Sequence, residues 1–199
     1  MSETLSDLAL GALRELSLVF TRMSDDCADE LIDAIITARK IVLFGCGREG
    51  LQMRGLAMRL FHLGRDATVW GDMSMPAVGR NDPLVVSAGP GDLATARVLV
   101  CRARKAGART ALITAQPEAP LAAHVDVVMV IPAQTMADDR VANSSILPMG
   151  SLFEIAQMVN GATRLTKPSS GASCSPTRDQ VGPFAARAEA KVEMNEAAN

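Results

Sequence analysis

From residue 41 onward, short unbroken apolar runs alternate with stretches whose apolar residues recur at helical spacing. The first run, 41–44 (IVLF), drives into glycines at 45, 47 and 50. A helix is expected over 48–63, with Met53, Leu56, Leu60 and Leu63 on one face and Gly64 ending it. A short strand at 67–70 leads to a loop containing Pro76 and Gly79, then to a strand at 84–86. After the turn Ala88-Gly89-Pro90-Gly91-Asp92, Asp92 is the expected N-cap of a helix over 93–106. That helix buries Ala96, Leu99, Val100 and Ala103 and stops at Gly107. A strand at 110–114, a short helix near 118–123 and a strand at 125–131 complete the series. Continuously apolar strands separated by helices predict an α/β fold whose parallel sheet is covered on both faces.

Residues 1–38 predict a pair of helices ahead of the first strand. Ser6-Asp7 opens the first, which carries Leu8, Leu13, Leu16, Val19 and Phe20. Ser24-Asp25-Asp26 caps the second, which carries Cys27, Leu31, Ile32 and Ile35. Such a pair serves either as a cover for the sheet or as an oligomerisation element. A last helix is expected from about Ser151, with Leu152, Ile155 and Val159 on its apolar side, fading after Asn160-Gly161. From 166 the chain turns to Ser, Pro, Gly and Ala, a composition that cannot bury enough surface to order itself. The organisation expected is therefore one domain over 1–165, with helices in 1–38 and the α/β core in 40–165, and a flexible tail over 166–199. Within that tail, 185–196 could form a short frayed helix.

Composition narrows the function classes. At 199 residues the chain has room for a full core, and 48% of it is hydrophobic, yet it holds only five Phe, one Trp and no Tyr. The core must be aliphatic, and a base-stacking strand binder is disfavoured. Acidic and basic residues are interspersed at a net charge of −2, so no nucleic-acid footprint is visible. No apolar run is long enough to span a membrane and no basic-then-apolar leader opens the chain, which reads as cytoplasmic. The four cysteines have no C-x-x-C spacing and are expected to be reduced thiols. With two histidines far apart at 62 and 124, no metal is expected.

Six stretches in order carry a family resemblance: FGCGREG (44–50), MRLFHLG (58–64), the glycine-rich turn at 88–92, TAQPEAPLA (114–122), AHVDVVMVIPA (123–133) and LPMGSLFE (147–154). Over roughly 30–160 the chain resembles the SIS (sugar isomerase) domain family, and within it the 6-phospho-3-hexuloisomerases. The resemblance implies a flavodoxin-like three-layer α-β-α sandwich with a five-stranded parallel sheet. It also implies a phosphorylated sugar bound at the C-terminal strand ends, no cofactor, and a homodimer or homotetramer with sites shared across an interface. The activity implied is interconversion of 6-phospho-3-hexulose and fructose 6-phosphate. The alternatives are a non-catalytic sugar-phosphate-binding module and a truncated, inactive relative.

Moving a carbonyl along a sugar chain needs a base that takes a proton from one carbon and returns it to the next. By periodicity alone Glu154 reads as a solvent-facing glutamate favoured by its helix dipole; the resemblance makes it the base. His62, in MRLFHLG, is either a proton shuttle or a histidine complementing a helix C-terminus. Arg48 is a cation at a helix N-terminus, a position that calls for an anionic partner. The remaining substrate-binding candidates are Gly45, Gly47, Ser87, Gly89, Gly91, Asp92 and Thr95. The resemblance departs in four places; two are Ala115, where relatives often have Ser, and the last helix, which gives way after Gly161 to the Ser/Pro-rich tail where relatives continue it. Related isomerases hold phosphate with a turn reading Ser-Gly-Ser-Gly-Glu-Thr, where this chain has Ala88 to Leu93, and they carry Ser where it has Glu49.

Overall fold

A computed structural model describes residues 4–137 and 145–165. The tail over 166–199, its helix at 185–196 and Cys174 lie outside those residues. Helices α1 (Leu5–Thr21) and α2 (Asp29–Ile36) precede strand β1 (Ile41–Gly45) and helix α3 (Gly47–His62). Strands β2 (Ala67–Val69) and β3 (Leu84–Ser87) follow, then α4 (Ala94–Lys105), β4 (Thr110–Thr114) and β5 (Val127–Val130). A single-turn helix at Pro148–Gly150 runs into α5 (Ser151–Thr163).

The five strands form one parallel sheet in the order β2-β1-β3-β4-β5, with Val42 beside Leu84 and Val85 beside Ala111. This is the expected flavodoxin-like α/β sandwich. Because helices cover both faces, β3 and β4 are buried at every position. Alternate side chains still divide the core in two. Ile41, Leu43, Val85 and Ile113 pack with Leu31, Met53, Leu60 and Phe153 of α2, α3 and α5. Val42, Phe44, Val86 and Leu112 pack with Ala96, Leu99, Val100 and Ala103 of α4. Each large side chain buried in this way contributes about 1.5–3 kcal/mol relative to exposure.

Several local expectations are corrected. The first helix is capped by Thr4, which shares a reciprocal capping box with Asp7, so it starts ahead of Ser6. Its apolar stripe is only half used: Leu16, Val19 and Phe20 face the core, while Leu8 and Leu13 are exposed. Ser24 bonds Asp26 within a turn, and α2 starts later, at Asp29. Leu63 is exposed beyond the end of α3. Asp92 does not cap α4; it pairs with Arg97, and the N-cap position falls to Leu93. The helix expected near 118–123 is a single turn over Ala122–His124, and α5 runs on to Thr163. Gly64 and Gly107 do end their helices, at positive φ, with Arg65 and Ala108 donating back to Leu60 and Ala103.

Among the described residues, no helix is long and apolar enough to cross a membrane.

Candidate functional site at the C-terminal ends of the strands

The loop between β1 and α3 is built by two glycines in contact. A Cβ on Gly50 would lie 2.5 Å from the carbonyl oxygen of Gly45, so only glycine lets the first turn of α3 rest on the strand end. Gly47, at φ 55°, turns the chain into the helix. Residues 48 and 49 are thereby held against two different neighbours.

Arg48 turns toward α5. Its Nε donates to Glu154 Oε1 at 2.9 Å, and its Nη2 donates to the Met149 carbonyl. Met149 and Gly150 are consecutive left-handed residues, at φ 56° and 79°, which deliver the chain into α5 from a tight turn. Glu154 stands in the first turn of that helix with its side chain 13% exposed. Burial pushes its carboxyl above the ordinary range, and the Arg48 guanidinium opposes the shift without cancelling it. The anionic partner that the position of Arg48 calls for is thus a residue of this chain.

Glu49 turns toward β3. The Ser87 hydroxyl donates to its Oε2 at 2.5 Å, and the Gly89 N–H donates to both oxygens, at 2.9 and 3.1 Å. Ser87 is fully buried. Burial pushes the Glu49 carboxyl up; the Ser87 and Gly89 donors pull it down, and the charge of Glu154 adds to the upward shift. Beneath it, a Cβ on Gly89 would meet the Phe153 ring at 2.9 Å, which leaves this wall closely filled.

The fold therefore brings Gly45, Gly47, Arg48, Ser87, Gly89 and Glu154 to one edge of the sheet. Gly91 sits nearby at φ 88°, wedged against Gln116 and Ala119. Asp92 is engaged by Arg97, and Thr95 is exposed in the first turn of α4. His62 is not brought to Glu154 within one chain: it is exposed at the far end of α3, about 21 Å along the helix from Arg48 at 1.5 Å per residue. The residues that sequence reasoning left out of the site are Glu49 and Met149. The carbonyl of Met149 carried no signal. Glu49 did carry one, because a turn poor in hydroxyls faced a loop with an extra carboxylate.

Comparison with known proteins places this edge in a family. The SIS domain family model matches residues 34–156. A 3-hexulose-6-phosphate isomerase of Mycobacterium gastri is 37% identical over 70% of this chain and 73% of its own length. One from Bacillus subtilis is 30% identical over 71% and 77%. A crystal structure of a hypothetical protein from Methanococcus jannaschii, described as inferring a function of 3-hexulose-6-phosphate isomerase, superposes with TM-score 0.65 at 26% identity. It covers 81% of this chain and 86% of that one. With the sheet order and these matches in agreement, the chain belongs to the SIS domain family.

Proposed function

We propose that this protein is an isomerase of a phosphorylated sugar, of the 3-hexulose-6-phosphate isomerase type, with Glu154 as its base. The observation that carries the reading is Glu154 itself. It is a mostly buried carboxylate at the strand ends, held in place by Arg48, with its proton affinity raised toward the range useful for proton transfer. The names of the M. gastri and B. subtilis relatives support the substrate class.

In this reading the Glu154 carboxylate takes the proton from the hydroxyl-bearing carbon next to the carbonyl. The electrons of that C–H bond form the C=C of an enediol as the former carbonyl oxygen takes up a proton. Loss of the proton from the other oxygen then forms the new carbonyl while the same carboxyl returns its proton to the former carbonyl carbon. One carbon is oxidised as its neighbour is reduced, so the reaction balances without a redox cofactor. His62 serves the site of a second copy. The apolar side chains exposed along α3, Leu51, Met58 and Phe61, suit a homodimer or homotetramer interface. The cytoplasm is the compartment this reading assigns.

The test is turnover of 6-phospho-3-hexulose to fructose 6-phosphate by the wild-type chain and by Glu154→Gln. A loss of about 10²- to 10⁴-fold in kcat, with far-UV circular dichroism and thermal unfolding unchanged, is the expected result. Turnover that survives the substitution removes Glu154 from the mechanism.

A further inference from the structure

The turn after β3 is where the family resemblance puts a ligand phosphate. Hydroxyls in that turn hold the phosphate in related isomerases, and this chain has Ala88, Pro90 and Leu93 at their positions. Pro90 has no N–H to offer either. The Ser87 hydroxyl and the Gly89 N–H remain, and both donate to Glu49. Each has a single proton, so a group donating to Glu49 does not donate to a phosphate at the same time. The guanidinium of the same loop is turned elsewhere, to Glu154 and the Met149 carbonyl. The missing hydroxyls on one wall and the added carboxylate on the other are two halves of one change. Two donors of the turn, Ser87 and Gly89, are satisfied from inside the chain by an anion of its own.

We propose that Glu49 is the resident anion of this turn, and that a phosphosugar enters only by displacing its carboxylate from Ser87 and Gly89. Glu49 is then the residue that sets how strongly the chain prefers phosphorylated over unphosphorylated sugars. The inference rests on the sugar-site reading above but not on catalysis.

The experiment is calorimetric titration of the full chain with inorganic phosphate, fructose 6-phosphate and fructose, for wild type, Glu49→Gln and Glu49→Ser. Gln keeps the shape and removes the charge; Ser restores a hydroxyl. Thermal unfolding confirms that each variant is folded. Both variants are expected to bind phosphate and fructose 6-phosphate about tenfold or more tightly than wild type, with fructose unchanged, as removal of a close like charge requires. Equal or weaker phosphate binding in the variants overturns the proposal, as does phosphate binding by none of the three. A gain in Glu49→Ser alone also overturns it, because that credits the new hydroxyl and not the departed charge. The readout needs no turnover. Failure of Glu154-dependent isomerisation therefore leaves this result standing, and isomerisation without any Glu49 effect overturns the competition alone.

Discussion

The two edges of the sheet use the same device to different ends. At the edge where the strands begin, Asp82, 1% exposed, accepts the Gly79 N–H at 3.2 Å and the Arg39 guanidinium at 3.1 Å. Asp126 accepts both the N–H and the hydroxyl of Thr110, at 2.7 and 2.8 Å. At the edge where the strands end, Glu49 accepts a hydroxyl and an N–H in the same fashion. The difference is in what surrounds the charge. A guanidinium reaches Asp82, so that carboxylate locks the loop entering β3. The guanidinium beside Glu49 goes to a second carboxylate instead, and burial leaves Glu49 with its proton affinity raised. One edge is electrostatically closed, and the other keeps two acidic groups in mutual opposition. Perturbed carboxyl groups of this kind collect at functional edges.

Removing the locking carboxylate should be the larger blow to the fold. Asp82→Ala strands the Gly79 N–H and frees Arg39, at an expected cost of about 1–3 kcal/mol in urea unfolding. A cost below about 0.5 kcal/mol would mean that the strand-entry edge is not held in this way. The opposite edge should respond to pH instead. Because the folded-state pKa of Glu49 is raised, its contribution is fully present below the unfolded value and is lost as pH rises through the folded one. Glu49→Gln has no such loss. Its Tm relative to wild type should therefore climb from the ordinary carboxylate range toward neutrality, and a flat or falling difference counts against the assignment. The smallest effect lies in the turn before α5. Met149→Gly removes a side chain from a left-handed position, and the gain should stay under about 1 kcal/mol by chemical denaturation because glycine also loses more freedom on folding.

Most of the fold was legible because it rests on local periodicity. The unbroken apolar runs at 41–44 and 111–113 are met by a sheet covered on both sides, and the terminating glycines at 64 and 107 mark where helices stop. Capping was read less well. Asp92 has the right chemistry for an N-cap, but a charged partner one turn along, Arg97, offers a stronger charge-assisted bond. Of the site residues named from sequence, the fold gathers Gly45, Gly47, Arg48, Ser87, Gly89 and Glu154 at one edge of the sheet. Sequence did not show which side chain meets which. Arg48 and Glu154 are 106 positions apart, and Glu49 and Ser87 are 38 apart; no local pattern encodes those pairings. His62 shows the same limit from the other side, since it shares a helix with Arg48 and the geometry of that helix alone carries it to the far end.

The wedge at Gly91 has a consequence for ligand entry. A Cβ there would sit 2.5 Å from that of Ala119, the Ala115 N–H donates to the Gly89 carbonyl, and the Ala88 N–H donates to Ile113. The β4 strand and its loop thus mould the turn whether or not anything occupies it. A ligand at this turn meets a backbone already shaped by its neighbours. The conformational change asked of the turn is the rotamer of one glutamate, which leaves its bonds to Ser87 and Gly89.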